Sequence, residues 1–266
     1  MRLVWATDIH LDFCTPTVRR AFYARLGEDD PDAVVLTGDI ADAKSLEPML
    51  LELAAAVAVP VYFVLGNHDF YGSGVAEVRA VARSLTAKDH RLRWLPATGV
   101  VPLSETTALV GHDGWADGRC GDWQGSRVML NDYIHIADLA RPKCGKDELL
   151  CRIQALAAEA AGYLAEVIPT AMATHPQVLV ATHVPPFREA CWHEGAISGD
   201  DWLPHFSSRV IGEVLAASAA ANPGRTMTVL CGHTHGAGEA QIAPNLLVRT
   251  GGAEYREPAV QGVIEV

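Results

Sequence analysis

Residues 33–39 read Ala33-Val34-Val35-Leu36-Thr37-Gly38-Asp39, and this short run decides how the chain folds. Its first four side chains are all apolar, with no alternation of polar positions, the pattern of a strand covered on both faces. It then breaks at a glycine and delivers a carboxylate just past the strand end. The same grammar lies on both sides of it. Leu3-Val4-Trp5-Ala6 runs toward Asp8, and Val61-Tyr62-Phe63-Val64-Leu65 runs into Gly66-Asn67. The stretches between, residues 15–26 and 45–57, are suited to helices, so the order is β-α-β-α-β. Crossovers of that kind make the strands parallel, with their carboxyl ends on one edge. That edge is where α/β sheets usually bind their substrates.

The pattern returns further along. Gln177-Val178-Leu179-Val180-Ala181 leads into Thr182-His183, and Thr226-Met227-Thr228-Val229-Leu230 leads into Cys231-Gly232-His233. Helices are expected before these strands, from Lys146 to about Ile168 and over 207–221, with closing strands at 246–249 and 260–266. No internal repeat, low-complexity tract or linker interrupts the chain, so residues 1–266 read as a single domain. Its least regular segments, 112–145 and 184–206, are expected to hang over the strand ends as cap-like loops. Arg119, Arg127, Arg188, Trp123, Trp192 and Trp202 stand in them. An arginine fork there suits a phosphate oxygen, and a tryptophan suits a flat group.

Bulk properties narrow the classes. The chain has 266 residues, 49% hydrophobic and 20% charged, which is ordinary for a soluble globule. Its net charge of −11 makes nucleic acid an unlikely partner, even with two divalent cations added. The six cysteines show no Cys-x-x-Cys pair, which fits a reduced cytoplasmic protein better than a disulfide framework. The first apolar run ends at Asp8 and reads as a strand, not a signal peptide. The longest nearly apolar stretch, 53–65, is too short to span a membrane. Composition leaves the oligomeric state open.

The strand ends carry four polar clusters: Asp8-Ile9-His10, Gly38-Asp39, Gly66-Asn67-His68-Asp69 and Gly232-His233-Thr234-His235, with His183 between the last two. Alone, an Asp-x-His or a Gly-Asp is commonplace. Together they assemble carboxylate and amide oxygens with imidazole nitrogens, the donor mixture that holds divalent transition metals. In this order the set resembles the calcineurin-like metallophosphoesterase superfamily, whose pattern is present from Asp8 to His235.

The resemblance implies a particular α/β fold: two facing mixed β-sheets in a sandwich flanked by helices, layered α/β/β/α. It also implies a binuclear centre, one metal on Asp8, His10, Asp39 and His235, the other on Asp39, Asn67, His183 and His233. Four imidazoles in the set favour Mn²⁺, Fe²⁺/Fe³⁺ or Zn²⁺ over Mg²⁺. The expected reaction is attack of a bridging water on a phosphomonoester or small phosphodiester, with His68 as general acid. Asp42 matches a carboxylate that orients this histidine in some members, and Asp69 reads as a loop-holding acid. The partner would be a small phosphorylated substrate. A nuclease-type phosphodiesterase stays open, as does a non-catalytic protein-binding scaffold on the same fold.

Overall fold

The computed structural model describes residues 1–140 and 145–266. In its first sheet β1 (Arg2–Ala6), β2 (Ala33–Thr37), β3 (Val61–Val64) and β4 (Leu92–Trp94) run parallel in that order. The final strand, β13 (Val260–Glu265), closes the β1 edge in the antiparallel sense. The second sheet uses β5 (Val101–Pro102), β6 (Thr107–Gly111), β7 (Gln177–Ala181), β10 (Thr226–Cys231), β11 (Gly238–Ala243) and β12 (Leu246–Thr250). Their order is β11-β12-β10-β7-β6-β5, parallel in the middle with an antiparallel strand at each edge. A two-stranded ribbon, β8 (Trp192–His193) and β9 (Ala196–Ile197), lies in the 184–206 segment.

Continuous apolar strands become intelligible once the two faces are separated. Leu3, Trp5, Ala33 and Val35 pack against Leu109, Leu179 and Leu230 of the second sheet. Their sequence neighbours Val4, Ala6, Val34 and Leu36 point the other way, against Phe22, Leu26, Leu50 and Leu53 of the helices Pro16–Gly27 and Leu46–Val57. On the far side Val110, Val180 and Val229 meet Leu164, Ile168 and Leu215 of the helices Lys146–Thr174 and Arg209–Ala221. The result is the two-sheet sandwich with flanking helices, and both parallel blocks send their carboxyl ends to one rim. Beyond the ladder the zipping continues, since the Asp8 N–H donates to the Gly38 carbonyl and the His10 N–H to the Asp39 carbonyl, each at 3.0 Å.

The long helix passes its expected end at Ile168 and runs through Pro169 to Thr174. A proline there costs the Ala165 carbonyl its donor, about 3 kcal/mol in an exposed helix. Beyond it Ala171 and Met172 are buried in the core of the second sheet, which holds the last turn in place. Among the described residues no helix is long and apolar enough to cross a membrane, and Cys14, Cys120, Cys151, Cys191 and Cys231 are free thiols. Cys144 and part of the 112–145 segment lie outside the described residues.

Candidate metal centre

The seven residues expected as ligands come from five strand ends and meet on the shared rim. Asp8 and His10 follow β1, Asp39 follows β2, Asn67 follows β3, His183 follows β7, and His233 and His235 follow β10. Their backbone is unusual: Asp8, His10, Asp39, His233 and His235 have φ of 49°, 40°, 52°, 72° and 60°. The left-handed region costs a residue with a Cβ about 1–2 kcal/mol, so five such residues at one site are strain that the fold must over-determine. Gly38, at φ 93°, takes the same region without that cost. Close packing explains the neighbouring glycine, because a Cβ on Gly232 would lie 1.9 Å from Asp8 Oδ2.

One donor group consists of Asp8, His10, Asp39 and His235, whose ligand atoms all lie within 4.8 Å of one another. The other is best seen through hydrogen bonds. His183 Nδ1 lies 2.8 Å from the Thr37 carbonyl, and His233 Nε2 lies 3.0 Å from the His205 carbonyl. A carbonyl only accepts, so each of those nitrogens carries the proton. In the neutral rings the remaining nitrogens, His183 Nε2 and His233 Nδ1, are bare lone pairs. Both sit 2.9 Å from Asn67 Oδ1. The amide cannot be turned to relieve this, because Asn67 Nδ2 donates to Asp132 Oδ1 at 2.7 Å. Asp39 Oδ1 stands 3.4 Å from His183 Nε2, and Asp39 Oδ2 lies 3.9 Å from His10 Nε2, so this carboxylate faces both groups.

The electrostatics agree with the geometry. Burial lowers His10 to about 4 and His233 to about 3, keeping both rings neutral near pH 7, the form that binds a metal. Burial also raises the Asp39 carboxyl well above the usual range, and the carboxylates of Asp8 and Asp69 add to this. A buried acid in that position is comfortable as an anion only beside added positive charge. For Asp8 burial acts upward, yet the imidazoles of His183, His235 and His10 outweigh it and hold the carboxyl below its ordinary value.

A family profile described as calcineurin-like phosphoesterase matches residues 1–237. The chain belongs to the calcineurin-like phosphoesterase family. In its fold it is similar to the phosphopantetheinyl hydrolase of Mycobacterium tuberculosis, with a TM-score of 0.68 and 14% identity over 96% of this chain and 89% of that one. It is also similar to a dimetal phosphatase from Danio rerio, at TM-score 0.60 and 14% identity, covering 95% and 87% of the two chains. A fold neighbour of another kind is GAP50, the anchor in the inner membrane complex of Plasmodium, at TM-score 0.53 and 13% identity over 95% and 71%. By sequence, a transmembrane protein with metallophosphoesterase domain from Bos taurus is 33% identical over 98 residues, 33% of this chain. That match spans about a fifth of the bovine protein, 21% of its length.

In this chain the histidine next to Asn67 departs from expectation in its partner. His68 donates its backbone N–H to Asp39 Oδ1 at 2.8 Å, and its ring stacks on Tyr71 with centroids 4.2 Å apart. Asp42 is not its orienting partner. The Asp42 carboxylate accepts the Ser45 N–H at 2.9 Å at the start of the Leu46–Val57 helix, and among the described residues no hydrogen bond joins it to His68. Burial, helped by His10 and His183, presses His68 down to about 2. Asp69 does tie loops together, accepting the N–H groups of Ile40, Ala41 and Gly66 at 2.7–2.9 Å.

Three residues of the site escaped the sequence reading. Asp132, from the 112–145 segment, takes both the Asn67 amide and the Tyr71 hydroxyl, the latter at 2.6 Å. His205 supplies the carbonyl that sets the His233 tautomer. Tyr255, from the loop before β13, covers His10 at 4.6 Å between ring centroids and puts its hydroxyl 3.5 Å from His68 Nε2. Nothing in their spacing marks these positions, because each works through the fold rather than through a motif. Of the remaining histidines, His193 lines the cleft in front of the centre, whereas His112 is buried elsewhere and accepts the Gly114 N–H.

Proposed function

We propose that this chain hydrolyses phosphoric esters with two divalent transition ions, one among Asp8, His10, Asp39 and His235 and one among Asp39, Asn67, His183 and His233. The observation that carries the reading is the meeting of two imidazole acceptors, His183 Nε2 and His233 Nδ1, each 2.9 Å from a third acceptor, Asn67 Oδ1, with the partner atoms of all three committed elsewhere. Acceptors placed so close repel one another unless a cation shares their lone pairs. Mn²⁺, Fe²⁺/Fe³⁺ and Zn²⁺ suit this imidazole-rich set better than Mg²⁺. Asp39 is the group able to serve both ions, having two anionic oxygens directed to the two donor groups.

When bound, the ions polarise the phosphoryl group and make water a competent nucleophile near neutral pH. The protein's own side chains do the rest. Carbonyls of Thr37 and His205 fix two imidazole tautomers, and Asp132 with Tyr71 keeps the Asn67 oxygen forward. The His68 ring, neutral and beside the donor groups, donates a hydrogen bond from its N–H to the leaving oxygen and stabilises the charge that grows there, without giving up the proton. We place the enzyme in the cytoplasm and assign it small phosphorylated substrates, a reading supported by its free cysteines and acidic charge.

The test is metal analysis of purified protein alongside hydrolysis of p-nitrophenyl phosphate and its bis ester with Mn²⁺. Two ions per chain with turnover of at least one ester, both lost in Asp39→Asn, is the expected result. Bound metal without hydrolysis of either ester would leave the scaffold reading.

A further inference from the structure

We infer that the ester suited to this cleft is a diester, singly charged at phosphorus and bearing one flat arm; this rests on the phosphoesterase reading above. Two features of the cleft support it independently.

The first is charge. The cleft before the donor groups encloses about 210 Å³, and among the described residues no lysine or arginine lines it. Its ionisable wall is made of Asp39, Asp132, imidazoles and the phenols of Tyr71 and Tyr255. The arginines expected at this mouth are engaged elsewhere. Arg119 pairs with Asp117 at 3.2 Å and Arg188 with Asp200 at 3.0 Å, and both line a different cavity. Arg127 and Arg256 are exposed and form no part of the cleft wall. The two ions would face either ester alike, so the extra charge of a phosphomonoester, which carries about −1.5 to −2 near pH 7, falls to the cleft wall, where proteins commonly place arginine forks. A diester carries a single charge and needs no such fork.

The second is shape. Beside His10 and His68 stand Tyr255 and Phe13, each 46% exposed, with ring centroids 5.2 Å apart. Beside His193 and His233, Phe206 stacks on Trp202 at 5.2 Å, and Trp202 is 43% exposed. Large aromatic surface left in water around a polar centre is what a flat substituent covers favourably. A monoester offers one arm, which departs as the leaving group. A diester offers a second arm that can rest on these rings while the first leaves.

The experiment compares p-nitrophenyl phosphate, methyl p-nitrophenyl phosphate and bis(p-nitrophenyl) phosphate with the Mn²⁺-loaded enzyme, all sharing one leaving group. The expected kcat/KM for the bis ester exceeds that for the monoester by about tenfold or more. Trp202→Ala and Tyr255→Ala each raise KM for the bis ester about 2- to 10-fold relative to the methyl ester, and Tyr255→Phe does not. Asn131→Arg, which adds a cation to the cleft wall, shifts the ratio toward the monoester. A monoester preference, or variants that depress both diesters equally, overturns this inference and leaves the phosphoesterase reading standing. Failure of the metal-loaded protein to cleave any of the three overturns both.

Discussion

Replacing Asp132 by alanine should weaken one metal and spare the other. The Asp132 carboxylate accepts from Asn67 Nδ2 at 2.7 Å and from Tyr71 Oη at 2.6 Å, and it is buried. Without it, the buried Asn67 amide keeps only a weak contact to Tyr71 Oη at 3.5 Å, a loss of about 1–3 kcal/mol, and the half-buried Tyr71 hydroxyl turns to water. The amide has an escape: turning over, it points Nδ2 at the lone pairs of His183 and His233, which lie 2.9 Å from the present oxygen. That orientation satisfies the donor and excludes a cation. Binding a metal then requires turning the amide back against the lost bonds, a penalty of about 10–100-fold in affinity. Competition with a chromophoric chelator, titrating Mn²⁺ or Zn²⁺ into the metal-free protein, resolves the two binding steps. The step assigned to Asp8, His10, Asp39 and His235 should stay within about threefold of wild type, since Asp132 touches none of those side chains. Asp132→Asn keeps an acceptor oxygen in place and should recover most of the loss. Equal weakening of both steps, or an Asp132→Asn protein as impaired as Asp132→Ala, would refute the reasoning.

Three more outcomes follow from the same geometry. His68→Ala should retain both metals in elemental analysis while kcat falls about 10²–10⁴-fold, and loss of metal instead would make His68 a ligand. Gly232→Ala drives a Cβ to 1.9 Å from Asp8 Oδ2 and 2.1 Å from Thr7 Oγ1, so metal affinity should drop about 10–100-fold with the circular dichroism spectrum kept. His112 concerns stability: burial holds its pKa below the ordinary value, so the folded state binds fewer protons than the unfolded chain. Its contribution is therefore complete above the unfolded pKa of about 6.5 and declines as pH falls below it, by at most about 1.4 kcal/mol per pH unit. Urea unfolding at pH 7.5 and 5.5 should show His112→Asn, which keeps an acceptor for the Gly114 N–H, losing less stability on acidification than wild type. Parallel losses would contradict the assignment.

The parallel blocks and the residues that gather on their rim were legible because both obey local rules. An apolar run with no polar alternation has to be covered on two faces, and the residue just past it lands on the rim; Asp39, Asn67, His183 and His233 all follow that rule. The helix at Val75–Lys88 and β11 went unread for lack of equally clean patterns, and β6 because no ligand motif follows it. Thr107-Ala-Leu-Val-Gly is as apolar as β2, but it delivers His112 away from the centre. β12, expected as a closing strand, lies between β10 and β11 because an antiparallel hairpin adds the true edge outside it. Asp42 illustrates the other kind of error. Its position in the sequence suited a partner for His68, yet four residues later a helix begins, and the nearby Ser45 N–H claims the carboxylate. Asp132, His205 and Tyr255 were invisible for the converse reason, since they reach the centre across 65, 28 and 187 residues of chain.

The central claim is that two cations share Asp39. Anomalous diffraction from crystals grown with Mn²⁺ tests it directly, because each bound ion gives its own peak. Two peaks on either side of the Asp39 carboxylate are predicted, one among Asp8, His10 and His235, the other among Asn67, His183 and His233. A single peak, or a second one away from Asn67, would contradict it.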